Sequence, residues 1–194
     1  MIELVVIGGS SGALEALLAL VPAFPDELTV PLVVVLHLGP TQKNLVPEIL
    51  RNVTSRPVVE ADDKQPLRAG HIYIAPPNYH LLVERTRTLA LSVDEPINFS
   101  RPSIDVLFES AADAYGPRCV GVLLSGANDD GAKGLERITD AGGRAFVQAP
   151  VTASQPTMPA AAARRLGDRA VVMTIPDVAK ELAHMVAAAY FEGP

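Results

Sequence analysis

Tryptophan is absent from this 194-residue chain, aromatic residues make up only 5% of it, and Cys119 is its single cysteine. A core with so few large rings has to be built mainly from Leu, Val, Ile and Ala, a composition suited to strands and helices packed in layers. One cysteine excludes an intramolecular disulfide and agrees with a reducing compartment. An excess of positive charge is also missing, since 16 Lys and Arg face 22 Asp and Glu, for a formal net charge of -6. Nucleic-acid binders draw most of their affinity from phosphate neutralisation, so DNA or RNA is excluded as the main partner. Arg85, Arg87, Arg101, Arg164 and Arg165 are the residues from which a local basic patch would be drawn; each alone reads as a solvated side chain. Long apolar runs are lacking too. The opening stretch Met1–Ile7 is far too short to cross a bilayer and no basic leader or cleavage site follows, so no membrane insertion is expected and the chain reads as cytoplasmic.

What is present is an ordinary globular balance, 48% hydrophobic and 20% charged. The length fits a single domain, residues 1–194. Short apolar runs alternate with amphipathic ones, the pattern of a βα series and a mainly parallel sheet. Leu4–Ile7 and Leu32–Leu36 read as buried strands. Leu14, Leu17, Leu18 and Val21 recur at helical spacing between them, with Pro22 and Pro25 as the stop. Asn44–Asn52 reads as a short helix. Val58–Glu60, His71–Ala75, Leu81–Glu84 and Leu89–Val93 are short β runs broken by Gly, Pro and Asn, and they suggest a hairpin-like excursion at the sheet edge. Helical spacing returns at Ile104, Leu107, Phe108, Ala111, Ala112 and Tyr115, with Pro102 as a first-turn proline. Cys119–Leu124, Arg144–Gln148 and Ala170–Met173 are further strands, each followed by a helical stretch. The last of these carries Val178, Leu182, Met185, Val186 and Ala189 on one face and Asp177 as a candidate N-cap. The expectation is a doubly wound α/β fold with helices on both faces and an antiparallel hairpin at one edge.

In an open parallel sheet, ligands bind where the carboxyl ends of the strands meet their loops, here just after Ile7, Leu36 and Leu124. The first of these loops is Gly8-Gly9-Ser10-Ser11-Gly12, a G-x-S-x-G pattern in which glycines allow a sharp strand-to-helix turn and leave a hydroxyl exposed. Alone, the same pattern serves equally as a tight turn or a phosphate site. A Walker loop is ruled out because no lysine occurs before Lys43, and the glycine spacing of a dinucleotide loop is not met. At the end of the second strand, where a ribose-binding acid would stand, the residue is His37. Its companions lack that position: His71 opens a β run, His80 lies near a turn, and His184 rides the final helix. A metal site from His37, His71, His80 and Asp62 or Asp63 has no ligand spacing behind it. The third loop, Ser125-Gly126-Ala127-Asn128-Asp129-Asp130-Gly131, offers a carboxylate to orient an imidazole, although either aspartate would also serve as a helix cap. Cys119, at the opposite end of its strand, reads as a packed, unreactive thiol.

The segments Ile7–Gly12, Leu36-His37-Leu38-Gly39-Pro40 and Leu124–Gly131 resemble the three catalytic segments of the chemotaxis protein-glutamate methylesterase family. Gly70–Pro76, Arg101–Phe108 and Met158-Pro159 match that family as well, so the resemblance runs in order from residue 2 to about residue 186. It implies Ser10 as nucleophile, His37 as general base and Asp130 as the orienting acid, with Ser11, Gly126 and Ala127 beside the oxyanion or substrate. It also implies a doubly wound α/β fold, no metal or organic cofactor, and action on the cytoplasmic region of methylated chemoreceptors, with deamidation of receptor glutamines in some members. The chain departs from the family at Ser11, Ala13, Ala127 and Ala149, and has no room for the receiver domain that commonly precedes the catalytic one. Control is then expected from a separate response-regulator or signalling protein, and the chain reads as a monomer. Two rival readings are a receptor- or partner-binding module that has lost turnover and a nucleotide- or phosphate-binding α/β domain.

Overall fold

Strand β1 (Leu4–Gly9) is buried along its whole length, and its side chains alternate between two separate cores. Val5 and Ile7 enter one, and Leu4 and Val6 the other. A strand covered on both faces needs apolar residues at every position, and β1 supplies them. The computed structural model describes residues 1–24, 29–39, 41 and 43–191, with side chains as far as residue 185. Pro25, Pro40 and the side chains of Val186 and Ala189 lie outside the described residues.

Along the chain, β1 is followed by α1 (Ala13–Leu20), β2 (Leu32–Leu36), α2 (Val46–Arg51), β3 (Val58–Glu60), β4 (Ile72–Ile74), β5 (His80–Val83) and β6 (Leu89–Ser92). Then come α3 (Ile104–Tyr115), β7 (Cys119–Leu123), α4 (Ala132–Asp140), β8 (Arg144–Gln148), α5 (Thr157–Leu166), β9 (Ala170–Met173) and α6 (Ile175–Phe191). Seven strands form one sheet in the order β3-β4-β2-β1-β7-β8-β9, and every pairing in it is parallel. Helices α1, α2 and α6 cover one face through Leu17, Leu50 and Leu182, whereas α3, α4 and α5 cover the other through Phe108, Leu135 and Ala162.

The doubly wound fold is as the sequence implies, and three details differ. Of the four short β runs in the middle, Val58–Glu60 and Ile72–Ile74 extend the parallel sheet. Only β5 and β6 pair antiparallel, as a separate two-stranded sheet. That hairpin packs Leu81, Val83 and Leu89 into the core beneath α3. Periodicity reports that a run is extended and half-buried; it does not say which sheet the run joins. Pro102 lies ahead of α3 rather than in its first turn, because Ser103 is the N-cap position. At α6 the hydroxyl of Thr174, just before the helix, donates to Asp177 Oδ2 at 2.6 Å. Asp177 therefore sits inside the first turn, and Thr174 takes the capping place.

The chain reverses its winding direction at β1: β2, β4 and β3 build outward on one side and β7, β8 and β9 on the other. The crevice at the carboxyl ends of β1, β2 and β7 is thus the topological switch point. One contact governs how α3 and α4 approach each other beneath it. A Cβ added at Gly134 would stand 2.6 Å from the Phe108 Cβ and 2.9 Å from the Asp105 carbonyl oxygen. Helix propensity favours alanine over glycine by about 1 kcal/mol, but overpacking against backbone costs roughly 1–3 kcal/mol. Gly134→Ala is expected to lower the urea midpoint, by about 1 kcal/mol of stability, and a midpoint above wild type would show that the two helices separate freely.

Candidate active site

The turn after β1 is shaped by glycine. Gly12 has φ +77° and forms the N-cap position of α1, and a Cβ there would collide with the Ser154 side chain. The Ser10 N–H donates to the Ser125 carbonyl at 2.9 Å, and the Ser10 carbonyl accepts from the Ala13 N–H at 3.0 Å. These bonds hold Ser10 half-buried while Ser11 is exposed. The Ser125 hydroxyl donates to the Ser11 carbonyl at 2.7 Å and accepts from the Gln155 N–H at 2.9 Å. Gln148 Oε1 accepts the Ser125 N–H at 2.9 Å, so the loops after β1, β7 and β8 form one hydrogen-bonded unit.

His37 stands on the neighbouring strand end, its N–H donating to the Gly9 carbonyl at 3.1 Å. Its Nε2 lies 2.8 Å from Asp130 Oδ2, with the imidazole 13% exposed and the carboxylate fully buried. Asp130 accepts from an ionised acid's full complement of donors besides: Ser103 Oγ at 2.9 Å, the Ile104 N–H at 2.7 Å and the Asp105 N–H at 3.1 Å. Two of these are backbone donors at the start of α3, where N–H groups lack helical acceptors and a negative charge is favoured. Burial pushes the Asp130 carboxyl up, but the bonds from His37, Ile104 and Asp105 outweigh it and hold the group below the usual carboxylate range. An ionised Asp130 fixes the proton of a neutral imidazole on Nε2 and leaves Nδ1 as the basic nitrogen.

Asp130 therefore does not cap its own helix. α4 begins behind Gly131, with no side-chain cap of its own. Its donors are met by Asp105, whose Oδ1 accepts from the N–H groups of Gly131 at 2.9 Å and Gly134 at 2.7 Å. Each of the two helices is thus capped by the other's carboxylate. For Asp105, burial is the larger influence. Together with the neighbouring Asp130 charge it raises the carboxyl to about 6, against the two glycine N–H bonds.

The structure gathers Ser10, Ser11, His37, Gly126, Ala127 and Asp130 at one rim of the sheet, with two qualifications. The Gly126 N–H is occupied, donating to the Gln155 carbonyl at 3.0 Å, so Gly126 is corrected from an oxyanion donor to a structural residue. Its lack of a side chain admits Met158, whose sulfur a Cβ would meet at 2.5 Å. The N–H groups of Ser11 and Ala127 have no acceptor among the described residues. Further, no hydrogen bond joins the Ser10 hydroxyl to His37 among the described residues; the group found at Nδ1 is Ser100 Oγ, at 3.5 Å. Ser100, Ser103 and Asp105 escaped the sequence reading. Ser103 precedes a helix and so reads as a local cap, and nothing local tells that its hydroxyl serves a carboxylate 27 residues away. His80 likewise reads as a turn residue yet is buried. Its Nδ1 accepts the Ser103 N–H at 3.1 Å, and its Nε2 reaches the Glu95 carbonyl at 3.1 Å.

His37, Leu38, Asn78, Ser100, Arg101 and Pro102 stand in the wall of a cavity of about 380 Å³. Arg101 is spent internally, on Asn78 Oδ1 and the carbonyls of Val93 and Asp94. Arg87 and Arg165 pair with Glu3 and Glu136. Cys119 is buried at the far end of β7 and burial raises its thiol strongly, which leaves it unreactive.

The model of the CheB methylesterase family matches residues 5–182. A Leptospira interrogans protein carrying the name protein-glutamate methylesterase/protein-glutamine glutaminase is 44% identical over 160 residues, 82% of this chain and 83% of its own. A Rhodospirillum rubrum protein of the same name is 36% identical over 91% of this chain, which spans 47% of that relative's length. The crystal structure of the Thermotoga maritima CheB methylesterase catalytic domain superposes with a TM-score of 0.90 at 26% identity, covering 95% of this chain and 99% of that one.

The Asp105 carboxyl gives a signed pH dependence. Its folded value of about 6 lies above the ordinary 3.8, so the folded chain binds more protons than the unfolded chain between those values. Stability is then lost as pH rises through that window. Asp105→Asn keeps an acceptor for both glycine N–H groups and removes the charge. Between pH 4.5 and 7.5 its urea-unfolding free energy should gain about 2 kcal/mol on wild type; parallel curves would contradict the assignment.

Proposed function

This chain belongs to the CheB methylesterase family, carboxylic ester hydrolases, and from that premise we propose that it removes methyl groups from esterified glutamate side chains on the cytoplasmic region of chemoreceptors. Ser10 is the nucleophile, His37 the general base and acid, and Asp130 the group that orients and charges the imidazole. Residues 1–194 act as one catalytic domain. The observation that carries this reading is the His37–Asp130 pair at 2.8 Å, held at the strand end beside Ser10.

The steps follow from the assigned proton positions. Ser10 Oγ attacks the ester carbonyl and its proton passes to His37 Nδ1, which exchanges its loose contact with Ser100 for the nucleophile. The imidazolium is stabilised by Asp130, whose depressed pKa keeps it negative. The oxyanion of the tetrahedral intermediate takes the N–H groups of Ser11 and Ala127, each such donor contributing about 3 kcal/mol. The intermediate collapses, the methoxy group leaves as methanol with the proton from Nδ1, and an acyl-enzyme remains. Water then attacks the acyl carbon, gives its proton to Nδ1, and Ser10 departs with that proton to leave a glutamate side chain. A glutamine side chain enters the same acyl-enzyme with ammonia as leaving group, in keeping with the double name its relatives carry. The chain order of serine, histidine and aspartate differs from the common hydrolase order, which geometry allows.

The test is methanol release from methylated receptor. Ser10→Ala and Asp130→Asn should each lower kcat by roughly four orders of magnitude, with circular dichroism matching wild type for Ser10→Ala. Retention of turnover by Ser10→Ala would remove it as nucleophile.

A further inference from the structure

Between Pro96 and Pro102 the chain makes a two-residue reversal that carries a residue its backbone does not favour. The N–H of Ile97 donates to the Ser100 carbonyl at 3.1 Å and the N–H of Ser100 returns to the Ile97 carbonyl at 2.8 Å. The two residues enclosed, Asn98 and Phe99, have φ of +49° and +61°. Two successive left-handed residues mark the I′ hairpin turn, whose preferred sequence is Asn-Gly. Here the glycine place holds phenylalanine, for which left-handed backbone is unfavourable. The ring recovers nothing by burial, since Phe99 is 104% exposed. The ring therefore contributes no packing to the fold and stands free to meet a molecule from outside.

Its position says what that molecule is. Phe99 lines the same cavity as His37, and the next residue, Ser100, is the one at His37 Nδ1. The turn is anchored on its far side by Arg101, and its continuation holds Asp130 through Ser103. Nearby segments carry further exposed apolar groups, Tyr79, Val93 and Ile97. A glutamate methyl ester has no charge for a basic residue to read, and the cationic Arg101 at this wall is already committed to neighbouring acceptors. The apolar groups exposed beside the cavity are therefore what this wall offers a receptor segment.

We propose that Phe99 is a specificity-determining residue: a rim aromatic held in a strained turn that packs on apolar side chains of the receptor segment flanking the esterified glutamate. The inference rests on the esterase reading above and deepens it. Because the ring lies in solvent, its removal does not open a core, and glycine suits the backbone better.

The experiment compares Phe99→Gly and Phe99→Leu with wild type on methylated receptor and on p-nitrophenyl acetate, a small ester without flanking protein. The expected result is a higher thermal midpoint for Phe99→Gly, with a KM for receptor raised about 10-fold, the scale of an interface aromatic. The receptor-to-small-ester ratio of kcat/KM should fall by a similar factor, and Phe99→Leu should fall between the two. An unchanged ratio in Phe99→Gly, or an equal loss on both esters, overturns the proposal. Wild-type hydrolysis of the small ester without any methanol from receptor would overturn the esterase reading on receptors and this proposal with it, a result distinct from a normal wild type with an indifferent variant.

Discussion

The site depends on an exchange of carboxylates between two helices. Asp130, from the loop ahead of α4, accepts the first N–H groups of α3, and Asp105, from the first turn of α3, accepts those of α4. Each helix start leaves donors that must find an acceptor, and each acceptor here is an anion at the positive end of a helix. The arrangement puts two like charges in a dry interior, which is unfavourable taken alone; burial and mutual repulsion both show in the raised Asp105 carboxyl. What offsets it is the number and directness of the bonds. Removing either acid would orphan buried N–H groups, at a cost of about 1–3 kcal/mol for each.

Because Asp130 is held by α3, the proposed catalytic acid and the helix packing are one constraint. Gly134 permits the approach of the two helices, Asp105 and Asp130 lock it, and Ser103 and His80 extend the lock into the loop that lines the cavity. On the other side, Ser125 and Gln148 tie the Ser10 turn to the ends of β7 and β8. The two networks meet at His37, whose backbone is bonded to β1 and whose ring is bonded to Asp130. The proposed reacting groups therefore sit at the junction of two hydrogen-bonded assemblies, as acid–base catalysis at fixed distance requires.

Much of this was legible in the sequence, and the reason is physical. β1, β2 and β7 are buried on both faces, so their apolar runs are continuous and their ends are marked by glycine, histidine and serine. Once the runs are parallel neighbours, their carboxyl ends have to meet, which brings the Gly8–Gly12 loop, His37 and the Ser125–Gly131 loop together; Ser10 and Asp130 within those loops are what the family resemblance implies. The choice between Asp129 and Asp130 was not legible, because both suit a helix start; the fold buries Asp130 and exposes Asp129. Asp105 and Ser103 were hidden for a related reason. Each looks like a residue serving its own helix, whereas each serves a partner brought near only by tertiary packing. The committed Gly126 N–H was equally invisible, since its acceptor, the Gln155 carbonyl, belongs to a loop beyond the next strand.

The three proposed catalytic groups form a gradient of access to water, and the gradient accounts for their division of labour. The Asp130 carboxylate is fully buried, the imidazole is 13% exposed, and Ser10 is half-buried. A buried carboxylate interacts strongly with an imidazolium because little solvent screens it, and it stays ionised only because helix donors replace the lost water. The serine has the opposite need: it must meet a substrate that arrives as part of another protein, and then water that releases the product. Placing the acid under α3 and the hydroxyl at the open switch point meets both needs in one parallel sheet, with the histidine spanning the boundary between dry and wet.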